Sequence, residues 1–197
     1  MMIIGLTGSI AMGKSEVSKI LRKLNIPVFD ADAAVHEIYE NGTAAKVLSK
    51  LCPEAINGIT VDRRILSQNI TKNPELLKSI TAIIHPLVHE VEHQFLQNQN
   101  SDIAVIDSPL ILEGGRAREM DLIIVVSATP EIQKARALAR PGMSETKFEM
   151  IKSKQMPDIE KRLWADFVIE NNGTLEELEN TTKALIEHIR SQEKTNA

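Results

Sequence analysis

The stretch that most restricts what this chain can fold into is its opening, "MMIIGLTGSIAMGKSEVSKILRKL". A short apolar run with β-branched residues ends in glycines, and Val17, Ile20, Leu21 and Leu24 then recur at helical spacing. Buried strand, glycine-containing loop and amphipathic helix, in that order, begin a parallel α/β sheet. Within the stretch, "GSIAMGKS" fits G-x-x-x-x-G-K-[ST] at Gly8, Gly13, Lys14 and Ser15. Successive N–H groups of such a loop point inward and form an anion nest. The helix behind adds its unpaired first-turn donors and the positive end of its dipole. Gly8 and Gly13 permit dihedrals and a close backbone approach that a side chain would obstruct. Lys14 brings a point charge to a phosphate chain, and the Ser15 hydroxyl offers a ligand to Mg²⁺. The competing reading is an ordinary glycine turn, but a strand before and a helix after favour the cradle.

The rest of the chain fits the same architecture. "IPVFDAD" reads as a second short strand ending in carboxylates. "DIAVIDSPLIL", "DLIIVVSAT" and "ADFVIENNG" supply three more apolar runs, with a helix expected from Pro130 and a last one from about Leu175 to Ile189. The tail "SQEKTNA" is expected to fray. Five apolar runs separated by helical patterns predict a five-stranded parallel sheet covered by helices on both faces. Between the second and third runs, residues 33–99 are mostly helical in pattern, broken at Gly42, Pro53, Gly58 and Pro74. That is too long for a simple crossover and predicts an inserted helical subdomain. The core is then about 1–32, 100–139 and 163–197, within a single domain of 197 residues.

Composition removes several classes of function. Net charge is −4 with both signs interspersed, and aromatics are 3% of residues, which argues against a nucleic-acid partner. No apolar run approaches the roughly 20 residues that span a bilayer, and the start does not read as a signal peptide. Cys52 is the single cysteine and has no internal partner, which points to a reducing cytoplasm and a small buried side chain. The N-K-x-D tetrapeptide of a guanine reader is absent, and the chain is too short for a motor. Small-molecule phosphoryl transfer is what remains, and it needs an acceptor site, a second Mg²⁺ anchor and a mobile cationic lid.

Candidates for those parts follow from position. Asp32 lies just past the end of a strand, where open α/β sheets bind ligands. A carboxylate there accepts or orients an acceptor hydroxyl; the alternative is an N-cap for a helix starting at Ala33. Asp30 is either that cap or a support for Asp32. Asp107 ends "IAVID", the place for a carboxylate that reaches Mg²⁺ through water, or for a plain strand-end cap. Arg136 and Arg140 lie four apart in "QKARALAR" and would share one helix face before Pro141 and Gly142 break it. A polar stretch follows, so residues about 140–162 read as a lid, with Arg140 delivered to the transferring phosphoryl group; a solvated, salt-bridged face is the alternative. Lys152, Lys154 and Gln155 are further lid candidates. His89 and His93, at i and i+4, read as a solvated face.

Taken together, these segments resemble the dephospho-CoA kinase family over nearly the whole chain. "GLTGSIAMGKS" is similar to the family's opening loop and "NIPVFDAD" to its second strand. "VDRRIL" and "IIHPLV" resemble its substrate-binding helices, "DSPLILEGG" its third-strand segment, "QKARALAR" its lid entry and "KQMPDIEKRLWADFVIENNGT" its closing segment. The resemblance implies an adenylate-kinase-like P-loop fold with a helical CoA subdomain and a lid. It implies transfer of the ATP γ-phosphate, with Mg²⁺, to the ribose 3′-hydroxyl of dephospho-CoA. It also implies nucleotide contacts from the loop, Ala11, Met12 and Glu16 included, and from Arg136, Arg140 and Asn171. Asn171 also suits an ordinary Asn-Gly turn. Glu113 would help hold the acceptor or a metal water, or sit solvated in a loop; His85 would touch substrate or simply pack.

The sequence departs from the family where Ser9 and Ala11 replace glycines, Met12 a smaller residue and Glu16 a threonine. Leu112 and Arg116 stand where aromatics are common. Another P-loop kinase of nucleosides or nucleotides, or a nucleotide-binding switch without transfer activity, are the competing functions.

Overall fold

The computed structural model describes residues 1–196, with side chains through Gln192. The chain divides into two compact units, one made of residues 1–28 with the chain from Asn100 onward, the other of Phe29–Gln99.

The first unit is built on the opening strand. β1 (Met2–Thr7) lies between β5 (Ile103–Asp107) and β6 (Leu122–Ser127), parallel to both, and β7 (Phe167–Glu170) pairs parallel with β6. With β2 (Val28–Asp30) at the far edge, the order is β2-β5-β1-β6-β7 in a five-stranded parallel sheet. β5 is buried at every residue, as a strand covered on both faces must be. On one face α1 (Lys14–Lys23) lays Val17, Ile20 and Leu21 against Ile4, Leu6, Val105 and Ile124, and α9 (Leu175–Asn196) adds Leu178, Ile186 and Ile189. On the other face Ile123 and Val125 pack with Ile111, Leu112, Met120 and Met156.

Three more helices complete this unit. α6 (Pro130–Leu138) starts on a Thr129 cap with Pro130 in its first turn, where the missing N–H costs nothing. α7 (Glu145–Lys152) is capped by Ser144, and α8 (Asp158–Leu163) leads into β7. Among the described residues no helix is long and apolar enough to cross a membrane.

The second unit holds α2 (Ala31–Glu40), α3 (Thr43–Leu48), α4 (Arg63–Lys72) and α5 (Glu75–Gln97). Ile38, Leu48, Ile80, Ile84 and Val88 are buried in it. Cys52 is buried, as expected of a small apolar side chain.

Four boundaries differ from the sequence reading. α2 starts at Ala31 rather than Ala33, because the Asp30 side chain accepts from Ala33 N (2.9 Å); Asp30 is the cap and Asp32 sits in the first turn. α6 ends at Leu138, so Arg140 lies beyond the helix and shares no helical face with Arg136. Gly58, with φ 62°, turns a short hairpin of β3 (Ile56–Asn57) and β4 (Thr60–Val61) that no periodicity announces. The last helix continues past Ile189 to Asn196, through most of the tail expected to fray; Ala197 lies outside the described residues.

Near that C-terminal end Arg190 Nε donates to Asp102 Oδ2 (2.7 Å), fastening α9 to the approach of β5. The Arg190 hydrogen bond holds the Asp102 carboxyl below its ordinary value. A depressed carboxylate stabilises the fold above the unfolded-state pKa and loses that contribution as pH falls through the folded one. The pair is half exposed, so Asp102→Asn should cost only about 0.5 kcal/mol at pH 7. The difference should fade as pH drops below about 4, in urea denaturation followed at both pH values.

Candidate active site

The loop after β1 has the backbone of a phosphate cradle. Met12 N–H donates to the Ser9 carbonyl (3.2 Å) and Glu16 N–H to the Gly13 carbonyl (3.0 Å), which folds the loop back into α1. The amides of Ala11, Gly13, Lys14 and Ser15 have no acceptor among the described residues. Four neighbouring donors at the start of a ten-residue helix make a site for an anion.

The two motif glycines are required for different reasons. A Cβ on Gly8 would lie 2.7 Å from the Val126 carbonyl oxygen, a backbone atom of β6 that cannot move aside. Gly13 has φ 103°, and a Cβ there would strike the Asn171 side-chain amide.

The residues that depart from the family pattern have identifiable work. Ala11 is left-handed, with φ 63°, which costs an L-residue about 1–2 kcal/mol. Its methyl is buried beside Ala137 and Phe148, which returns about 0.8 kcal/mol. Alanine also has less unfolded-state freedom than glycine, a further 0.4–1 kcal/mol or about that. The terms nearly cancel, so the substitution is tolerated. Met12 is buried, and its sulfur accepts from Ala128 N–H (3.1 Å), bridging the loop to the end of β6. The Glu16 carboxylate is paired with Lys19 (2.7 Å), which balances its charge near the loop.

Lys14 and Asp107 form the charge pair of the site. The Lys14 ammonium bonds one Asp107 oxygen, and the Ser18 hydroxyl, one helical turn after Lys14, donates to the other. Asp107 is 2% exposed, and a carboxylate so buried is stable only with such partners. It is therefore no plain strand-end cap. The Ser15 hydroxyl is on the exposed side of the first turn and bonds no described residue.

On the other flank Asn171, 6% exposed, is a buttress. Its side chain donates to the Met12 carbonyl (2.9 Å), while its own carbonyl accepts from Arg136 Nη1 (2.8 Å). Arg136 is thus held against the segment after β7, not free in solvent. Arg140 is exposed, and its guanidinium pairs with no described residue.

Glu113 is an exposed residue of the turn after β5, but its carboxylate has partners. Its carboxylate pairs with Lys161 Nζ (2.9 Å) and accepts from Met156 N–H (2.8 Å), and Lys161 also donates to the Pro109 carbonyl (2.9 Å). Lys161 is wholly buried. Nearby, Ser127 donates to Asp158 (2.6 Å) and accepts from Arg162 (3.0 Å), whose hydrogen bond to Glu170 raises its pKa further. In the second unit Asp32 is exposed in the first turn of α2, and His85, His89 and His93 are exposed on α5.

Sequence reasoning missed Ser18, Lys161 and Gln133. Only Ser18 left a trace, its i+4 spacing from Lys14. Lys161 sits in a six-residue helix too short for a periodic pattern.

The family model for dephospho-CoA kinase matches residues 2–177. The chain belongs to the dephospho-CoA kinase family. Among curated relatives, the dephospho-CoA kinase of Cereibacter sphaeroides is 43% identical over 188 residues, covering 95% of each chain. That of Rhodopseudomonas palustris is 39% identical over 190 residues, again 95% of each. A crystal structure of a Thermus thermophilus protein superposes with a TM-score of 0.85 at 36% identity, over 95% of this chain and 97% of that one. Dephospho-CoA kinase from Campylobacter jejuni, at 24% identity and TM-score 0.72 over 97% and 98% of the two chains, shares the fold. The expected P-loop kinase architecture of this family member is therefore the observed one.

Two stability outcomes follow from the geometry. Ala11→Gly should leave the unfolding free energy within about 1 kcal/mol of the parent, since strain, methyl burial and chain entropy offset one another. Glu113→Ala should cost about 3–5 kcal/mol in urea denaturation, because it strands the buried Lys161 charge.

Proposed function

We propose that this family member transfers the γ-phosphoryl group of ATP to the ribose 3′-hydroxyl of dephospho-CoA, in the cytoplasm. The observation that carries the reading is the loop itself: four unaccepted amides beside the Lys14–Asp107 pair, in a chain of this family. The amides of Ala11, Gly13, Lys14 and Ser15 take the phosphate oxygens, and a phosphate draws the Lys14 ammonium from Asp107. Arg136 and Asn171 shape the nucleotide side of the loop, with Asn171 close against Gly13.

Asp32 receives or orients the acceptor hydroxyl. Its support is that Asp30 performs the capping of α2, which removes the competing role for Asp32. The acceptor oxygen bonds to the γ-phosphorus, the bond from that phosphorus to the β–γ bridging oxygen breaks, ADP leaves, and the hydroxyl proton passes to Asp32. The loose transition state makes alignment worth more than base strength. Segment 140–162 is the lid, and the unpaired Arg140 is its cation for the charge on the transferring group; arginines in that role contribute about 10³–10⁵ in rate. Residues 29–99 are the acceptor-binding subdomain, with His85 among the candidate contacts. Glu113, oriented by Lys161, helps hold the acceptor or a metal water.

The donor set also fits Mg²⁺. Ser15 offers a hydroxyl with no described partner, and Asp107 a carboxylate able to hold a metal water once Lys14 turns to phosphate. When bound, Mg²⁺ would neutralise charge on the β- and γ-phosphates.

A coupled ADP-release assay tests the reading. ADP should appear with dephospho-CoA and Mg²⁺ together, and fall to background when either is omitted. Turnover of AMP or a nucleoside but not dephospho-CoA would assign another kinase, and ATP binding without any transfer would assign a switch. Asp32→Asn should keep ATP affinity near the parent's while kcat falls about 10²-fold or more. Equal loss of both would make Asp32 structural.

A further inference from the structure

The phosphate loop is also gripped from outside. Ile10 N–H donates to Gln155 Oε1 (2.9 Å), and the Ile10 carbonyl accepts from Gln133 Nε2 (2.9 Å). These two bonds fix the peptide planes on either side of Ile10. The next residue is Ala11, left-handed at φ 63°, whose methyl is inserted beside Ala137 and Phe148. Gln133 and Ala137 lie one turn apart on α6, Phe148 is on α7, and Gln155 follows α7. The α6–α7 segment that bears Arg140 therefore holds the strained part of the loop at three points.

Ile10 and Met143 also pack against the Ala11–Ala137–Phe148 cluster. Beside it is a cavity of about 360 Å³ lined by Ser9 and Met12 from the loop and by Gln133, Lys152 and Gln155 opposite. The Ser9 hydroxyl is buried there and has no hydrogen-bond partner among the described residues. The direction of the Ile10 N–H matters as well. It is spent on Gln155, whereas the amides of Ala11, Gly13, Lys14 and Ser15 remain for an anion. Releasing Ile10 would let its peptide rotate and Ala11 relax out of the left-handed region, which would scatter those donors.

We propose that Gln155 is a positioning residue that ties the shape of the phosphate loop to the placement of the α6–α7 segment. The inference rests on the reading of Gly8–Ser15 as the site of the nucleotide's phosphates. Coupling of this kind is reciprocal: a nucleotide that steadies the loop steadies the Arg140-bearing segment to the same degree. Phosphate occupancy and placement of the cationic segment then become linked events, with the Gln155 carboxamide oxygen one of the links.

Isothermal titration of ATP into the full chain tests this, with thermal unfolding confirming that each variant is folded. Gln155→Ala should raise the ATP Kd about 3- to 10-fold, the scale of one neutral hydrogen bond. Gln155→Asn, which withdraws the oxygen but keeps the amide, should do the same and serves if the alanine variant does not fold. In an Ala11→Gly background, where the left-handed residue needs no restraint, Gln155→Ala should raise Kd by a clearly smaller factor. A residue that merely stabilised the fold would give equal factors in both backgrounds, and that result would overturn the proposal. Lys14→Ala separates the two levels. If it abolishes ATP binding while Gln155→Ala and Gln155→Asn bind like the parent, the coupling fails and the nucleotide reading stands. If Lys14→Ala binds like the parent, the nucleotide reading fails and takes the coupling with it.

Discussion

Everything in this molecule turns on a run of main-chain N–H groups that the fold leaves without acceptors. Unpaired amides are costly when buried and ordinary when wet, so a loop that keeps four of them aimed at one place must be held there. The holding is distributed. Val126 presses on Gly8 from the sheet, Asn171 on Gly13 from the segment after β7, and Gln133 and Gln155 fix Ile10 from the α6–α7 side. The nest is thus a product of long-range structure, although its residues are contiguous.

The charges around it obey the same economy. Asp107 is too buried to stand alone, so it takes Lys14 and Ser18; Lys161 is too buried to stand alone, so it takes Glu113 and the Pro109 carbonyl. The first pair is exchangeable, because a phosphate can compete for the ammonium. The second joins the "DSPLILEGG" segment to α8 and, through Met156 N–H, to the chain before it, so a carboxylate at Glu113 compensates a wholly buried ammonium. Arg140 contrasts with both, being exposed and without a side-chain partner among the described residues.

Local signals were legible in the sequence because local physics makes them. The strand–loop–helix at Gly8–Ser15, the buried run ending at Asp107 and the Asp30–Asp32 pair could be read from residue type and spacing. The family's residues were assigned to these positions on the same basis. Partners distant in sequence were not legible. Ile10 and Gln155 are separated by 145 residues and Lys161 and Glu113 by 48, and neither pair alters any periodic pattern. Cap choice between Asp30 and Asp32, the end of α6 before Arg140 and the hairpin at Gly58 depended on one or two residues' geometry, below the resolution of a hydrophobic period. The left-handed Ala11 shows the limit most clearly: the sequence exposed a missing glycine, but only the Ala137–Phe148 pocket shows why alanine is tolerated.

The most direct measurement is a crystal structure of the chain with a non-hydrolysable ATP analogue and Mg²⁺. The account predicts the triphosphate enclosed by the amides of Ala11, Gly13, Lys14 and Ser15, with the Lys14 ammonium moved from Asp107 onto phosphate oxygens. A nucleotide bound elsewhere, with Lys14 still on Asp107 and those amides facing solvent, would contradict it.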